Sequence, residues 1–200
     1  MPDQMQHPFI TIEIDTKLLS ATPQIHTNWY VITGAPCCGK TTLIDQLAAR
    51  GFKTVPETGR LYIEQEFAKG RSLEEIRQNE AGFVHHLFNL QAEVERRLAP
   101  HDLLFLDRAL PECITFHRIN RLNPNEILPV CTRYRYACIF ILDRFPLQQD
   151  GVRTEDDLAS DFLDEWLERD SRTMGYNVVR VPVLSINDRL EYILDRVQLD

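Results

Sequence analysis

The sequence predicts an α/β domain in which helices cover both faces of a parallel sheet. Three observations lead there. Short apolar runs alternate with longer amphipathic stretches, the pattern of strands buried from both sides. A length of 200 residues, 44% of them hydrophobic, suits one full core better than two. No internal repeat or low-complexity tract interrupts the pattern.

Core strands are expected at Trp29 to Thr33, Lys53 to Val55, Leu103 to Leu106, Ala137 to Leu142 and Asn177 to Val181. Helices are expected from the glycine-containing turn after the first strand to about Ala49, then over Leu61 to Ala68, Leu73 to Leu98, Glu112 to Arg121, Leu158 to Arg172 and Asn187 to Val197. Pro100 punctuates the longest of these. Phe9 to Asp15 alternates in strand fashion and reads either as an edge strand or as a packed arm. Residues 1–28 are thus an N-terminal extension and residues 29–200 the domain proper, with Asn123 to Pro129 a loop inside it.

Charge and cysteine usage exclude several function classes. A net charge of −8, from 22 basic and 30 acidic residues, argues against non-specific binding to nucleic acid or to an anionic membrane. Five cysteines, an odd number without metal-like spacing, point to reduced thiols and a cytoplasmic location. No apolar run approaches membrane-spanning length, and Met1 to His7 has neither the basic region nor the apolar core of a leader, so neither export nor anchoring is expected.

The chemistry begins at Gly34-Ala35-Pro36-Cys37-Cys38-Gly39-Lys40-Thr41-Thr42, a G-x-x-x-x-G-K-T-T match between the apolar run Tyr30 to Ile32 and a helical pattern through Leu43, Ile44 and Leu47. Its glycines let successive backbone N–H groups converge on phosphate oxygens, and the following helix adds the positive end of its dipole. Lys40 is expected on the terminal phosphates of ATP or GTP, and the Thr41 hydroxyl on Mg2+. Cys37 and Cys38 read as small loop residues presenting their amides, with a redox switch as the alternative.

Leu103 to Leu106 is a buried-strand pattern that ends in Asp107, which places a carboxylate at the edge where open α/β sheets bind ligands. Asp107 is the candidate second magnesium-associated group, and Arg108 a phosphate clamp. Val55-Pro56-Glu57-Thr58-Gly59-Arg60 brings Glu57 to the same edge, where a carboxylate orients or deprotonates an acceptor hydroxyl. The stretch around residues 144–157 carries Arg144 and Arg153 and reads as a lid, with Arg153 the stronger candidate for neutralising charge in transfer. Phe83, Phe88, His117 and Arg118 are candidates for an acceptor pocket, with ordinary core and surface roles as the alternative. His85-His86 is not read as a metal site, because adjacent helical side chains diverge.

Together, Gly34 to Thr42, Val55 to Arg60, Phe105-Leu106-Asp107-Arg108-Ala109-Leu110-Pro111-Glu112, Asp150 to Asp157, Met174-Gly175-Tyr176 and Val181-Pro182 resemble the small P-loop ATPases and kinases of the AAA_28 type, which include the ribosylnicotinamide kinase domain. The likeness runs from about Trp29 to Val197. It implies a three-layer, nucleoside-monophosphate-kinase-like P-loop NTPase fold with strand order 2-3-1-4-5. The chain is also similar to deoxynucleoside kinases in its Val-Pro-Glu segment and its acidic-Arg pair, but Ala109 stands where those sequences continue with Ser.

Two functions follow. One is a magnesium-dependent kinase that moves the terminal phosphate of ATP to a small nucleoside-like hydroxyl acceptor. The other is an ATPase or GTPase acting as a nucleotide-dependent switch, with Glu57 orienting water. An Asn-Lys-x-Asp guanine signature is not found, which favours ATP.

Overall fold

A computed structural model describes residues 9–21, 24–145 and 155–198. The elements are α1 (Thr16–Ala21), β1 (Ile25–His26), β2 (Trp29–Thr33), α2 (Lys40–Ala49), β3 (Lys53–Val55), α3 (Thr58–Ala68), α4 (Leu73–Arg77), α5 (Glu80–Arg96), β4 (Leu104–Asp107), α6 (Cys113–Ile119), α7 (Leu128–Cys131), β5 (Tyr134–Arg135), β6 (Cys138–Leu142), α8 (Glu155–Thr173), β7 (Val178–Val181) and α9 (Ile186–Leu194). Single 3-10 turns at Leu110–Glu112 and Pro124–Glu126 lie between β4 and α7.

Five strands form one parallel sheet in the order β3-β4-β2-β6-β7, which reads 2-3-1-4-5 when only the five expected core strands are numbered. The period of two along each strand divides the core. Trp29, Val31, Leu106, Ile139 and Ile141 face α5, α6 and α8 in one cluster, while Tyr30, Ile32, Phe105, Phe140 and Leu142 meet Leu43, Leu47, Leu190 and Ile193 of α2 and α9 in the other. Every residue of β2, β4 and β6 is buried, as strands covered on both faces require. The register pairs Ile32 with Asp107, so the loop after β2 and the end of β4 emerge side by side at the carboxyl edge.

Local hydrogen bonding decides between the two readings of Phe9 to Asp15 and corrects one expected helix. Phe9 to Asp15 is a packed arm and joins no sheet: the Arg118 guanidinium takes the Ile12 carbonyl, Ile10 N–H donates to the Arg118 carbonyl at 3.1 Å, and Asn125 bridges Asp15 N–H and the Glu13 carbonyl. Those carbonyls and amides are therefore not available to a neighbouring strand. The expected helix Leu73 to Leu98 is two helices, because Ser72 and Glu75 close a capping box on α4 and the Asn79 side chain accepts from Gly82 N–H at 3.0 Å to start α5.

Candidate functional site

The loop between β2 and α2 is shaped by its glycines. Gly34 has φ 143° and Gly39 φ 89°, and a Cβ placed on Gly34 would stand 2.8 Å from the Leu142 carbonyl oxygen of β6. A side chain there has neither the space nor the backbone preference. Cys37 also takes a left-handed conformation, at φ 61°. Among the described residues, no backbone N–H from Ala35 to Thr42 donates to a protein acceptor in the turns and caps of the chain. A run of unclaimed N–H groups entering a helix N-terminus is an anion site. The Lys40 ammonium lies over this loop and donates to the carbonyls of Gly34 at 3.1 Å and Ala35 at 2.9 Å. Burial, and then the Arg108 charge, hold it below its ordinary pKa.

Arg189 of α9 fixes the loop from below. It is buried and donates to the Cys38 carbonyl at 2.7 Å, to Asp143 O at 3.0 Å and to Pro182 O at 3.0 Å. Nothing local in the sequence signals that role, since the contact with Cys38 spans 151 residues. Cys37 is exposed and Cys38 buried, and all five cysteines are free thiols.

Thr41 and Asp107 come together as expected, with Thr41 Oγ1 3.5 Å from Asp107 Oδ2 and within 3.4 Å of the Arg60 guanidinium. Asp107 is almost fully buried, and burial, reinforced by the Glu57 charge, raises its pKa to about 6. Its Oδ1 is buried without a hydrogen-bond partner among the described residues. A buried carboxylate oxygen left unpaired beside a hydroxyl is the donor set of a hard divalent cation, so Thr41 and Asp107 fit Mg2+.

Arg108 adopts φ 71°, a left-handed conformation that turns the chain sharply after β4. Its Nε donates to Glu57 Oε1 at 3.0 Å and its Nη1 to Glu112 Oε1 at 3.0 Å. Burial opposes its charge, but the Glu112 and Glu57 carboxylates outweigh that and hold its pKa above the ordinary value. Glu112 also accepts the Thr33 hydroxyl at the end of β2. Arg108 thus braces Glu57 by bridging it to Glu112. Sequence reasoning assigned no role to Glu112, because Arg108 lies outside any helix and the four-residue spacing gives no helical pairing signal.

Glu57, Arg108 and Glu112 line a cleft of about 680 Å³ between α3, α5, α6 and α8, together with the charged Arg60, Glu64, Arg77 and Glu80. Phe83, Leu87, Phe88 and Phe116 wall it, and Gln91 and Asn120 add polar groups. Phe83 and Phe88 are therefore in the pocket for which they were candidates. Arg118 is outside it, buried against Asp170 at 2.9 Å and stacked on Trp166 at 4.3 Å, and His117 Nδ1 meets the Cys113 carbonyl at 2.8 Å. Arg144 pairs with Asp161 of α8. Arg153 and most of the expected lid, residues 146–154, lie outside the described residues. A second cleft of about 450 Å³, lined by His26, Tyr30, His101 and Arg196, opens at the opposite edge of the sheet, away from this chemistry.

Comparison with known proteins identifies the fold. The chain resembles the solved structure of NadR protein in complex with NR, with TM-score 0.61 and 20% identity over 86% of this chain and 50% of that one. It spans half the length of that NadR chain. Thymidylate kinase from Ehrlichia chaffeensis gives TM-score 0.61 at 11% identity, covering 88% of this chain and 100% of that one. Deoxyadenosine kinase from M. mycoides gives TM-score 0.58 at 13% identity, covering 84% and 97% respectively. At these identities the likeness is one of fold. No curated protein matches the sequence. A family model, AAA_28, described as AAA domain, matches residues 29–189, which span the loop, Glu57, Asp107 and Arg189. The chain belongs to the AAA_28 family of AAA-domain proteins.

Proposed function

We propose that the protein is a magnesium-dependent kinase that transfers the terminal phosphate of ATP to a hydroxyl of a small nucleoside-like acceptor. The observation that carries this reading is the 680 Å³ cleft lined by Glu57, Arg60 and Arg108, of which Arg60 reaches Thr41 and Arg108 directly follows Asp107. A switch that only binds or hydrolyses nucleotide needs no cleft of that size, walled by aromatic rings, at that point. The kinase names of the thymidylate and deoxyadenosine kinase structures that share the fold support the same reading.

Each residue then has a task. The N–H groups from Ala35 to Thr42 and the Lys40 ammonium hold the phosphates and meet the charge that develops in transfer. Thr41 and Asp107 would hold Mg2+, which supplies charge neutralisation between the phosphates when bound. Arg108 keeps the Glu57 carboxylate aimed at the cleft. Glu57 accepts the hydroxyl proton as the acceptor oxygen bonds to the terminal phosphorus and the bond to the ADP oxygen breaks. The cleft orients the acceptor and keeps water from competing with it. Arg153 is proposed as a further cation for the transferred group.

The reading is tested by ADP release from ATP and magnesium, with and without a panel of nucleosides and ribosylnicotinamide, against a Lys40→Ala background. Acceptor-stimulated release with a phosphorylated product is the expected result. Slow release indifferent to every acceptor would replace the kinase with an NTPase switch.

A further inference from the structure

Glu95 is a fully buried carboxyl group that phosphate transfer does not use. Three donors converge on it. Leu110 N–H donates to Oε1 at 2.9 Å, Gln91 Nε2 donates to Oε1 at 2.8 Å, and the Tyr136 hydroxyl donates to Oε2. Leu110 opens the 3-10 turn that carries Glu112, and Gln91 lines the acceptor cleft. One carboxyl group therefore joins α5, the turn behind Arg108 and the link between β5 and β6.

The convergence decides which way the Gln91 amide points. A backbone N–H can only donate, so Oε1 accepts from Leu110 whatever the protonation state of Glu95. A proton on this carboxyl group would sit on Oε2, beside Tyr136. In both states Gln91 must turn its nitrogen to Oε1, which leaves its carbonyl oxygen on the other side. That oxygen takes no donor from the described residues, and the fully buried unpaired side-chain atoms among them comprise Asp107 Oδ1 alone. The Gln91 oxygen therefore opens to the cleft, among the rings of Phe83, Phe88 and Phe116.

We infer that Glu95 is a positioning residue that locks the Gln91 amide with its oxygen toward the acceptor cleft, so that the acceptor's ring system presents an N–H donor there. The substrate class is a flat, ring-bearing hydroxyl compound with an exocyclic amine, a carboxamide or a ring N–H. The acceptor side of this inference rests on the kinase reading, whereas the lock itself rests on the hydrogen bonds alone.

Two measurements test it. Calorimetric titration compares adenosine with purine riboside and cytidine with zebularine, pairs that differ by loss of an amine. The amine-bearing member of at least one pair should bind about tenfold more tightly or better, because its partner leaves the Gln91 oxygen unpaired. Gln91→Met should reduce the preference to about twofold or less once that oxygen is gone. Glu95→Gln retains an accepting oxygen and should preserve it, and Glu95→Met should lose it. Nitrogen-15 NMR of the side-chain amides reads the lock without any acceptor. The Gln91 NH2 signals, assigned by their absence in Gln91→Met, should exchange slowly with solvent in the wild type and in Glu95→Gln, and rapidly in Glu95→Met. If Glu95→Met does not fold, the other two variants decide. Rapid exchange in the wild type, equal binding within both pairs, or an unchanged preference in Gln91→Met overturns the inference. Slow exchange with none of the four nucleosides bound would instead refute the nucleoside reading, and donor selection with it, while the lock stands.

Discussion

Replacing Glu95 by Gln should remove a pH dependence of stability while leaving shape and core contacts in place. Burial raises the Glu95 carboxyl pKa from 4.5 to about 7, against the opposing hydrogen bonds from Gln91, Tyr136 and Leu110 N–H. Between those two values the native chain holds a proton that the unfolded chain has released. Stability therefore falls as pH rises from the unfolded pKa to the folded one, and it is complete below that window. At about 1.4 kcal/mol per pH unit the loss is roughly 3 kcal/mol. Glu95→Gln cannot ionise, so its stability relative to wild type should rise by about that amount between pH 4.5 and 7.5. For a chain of this size that is a relative gain of roughly 6–12 °C in melting midpoint. Urea unfolding and thermal melts of both proteins across this range measure it. A difference that stays constant with pH would mean that Glu95 ionises near its ordinary value, and the electrostatic reasoning would fail.

Other perturbations probe separate parts of the account. Gly34→Ala forces a Cβ to 2.8 Å from the Leu142 carbonyl at a positive φ, and should cost about 1–3 kcal/mol in denaturation and weaken triphosphate binding. Arg118→Ala leaves Asp170 buried without its ion-pair partner and releases the carbonyl of Ile12. We expect a loss of about 3–5 kcal/mol in melts, with faster proteolysis of the arm at residues 9–15. Glu57→Gln should keep ATP affinity while lowering acceptor-dependent turnover by about 10²–10⁴, and a fall in ATP affinity of the same size would assign Glu57 to the nucleotide.

What the sequence made legible has a physical pattern. The loop from Gly34 to Thr41 and the strand ending at Asp107 were readable because their constraints are local. Glycines are demanded by backbone conformation, and a buried apolar run announces a strand. That Asp107 and Glu57 emerge near one another followed from strand ends sharing one sheet edge, to which the loop after β2 brings Thr41. What was not readable depends on contacts far apart in sequence. Arg189 reaches the Cys38 carbonyl from α9, and Tyr136 reaches Glu95 across 41 residues. Arg108 was read from its type as a phosphate clamp, and its bridge to Glu57 and Glu112 is a further role that only tertiary structure reveals. The division of α4 from α5 was signalled by Ser72, Glu75 and Asn79, and the apolar periodicity running through both helices masked it.

The central claim is that the loop at residues 34–41 holds the phosphates of a nucleoside triphosphate. Equilibrium titration of Mg-ATP and Mg-GTP into the wild-type protein and Lys40→Ala, with circular dichroism to verify the fold, tests it most directly. The account predicts saturable binding to wild type that weakens by about tenfold or more in the variant, as expected when a charge-assisted contact to phosphate is lost from an otherwise intact fold. Equal affinity in the two proteins, both folded, would contradict it.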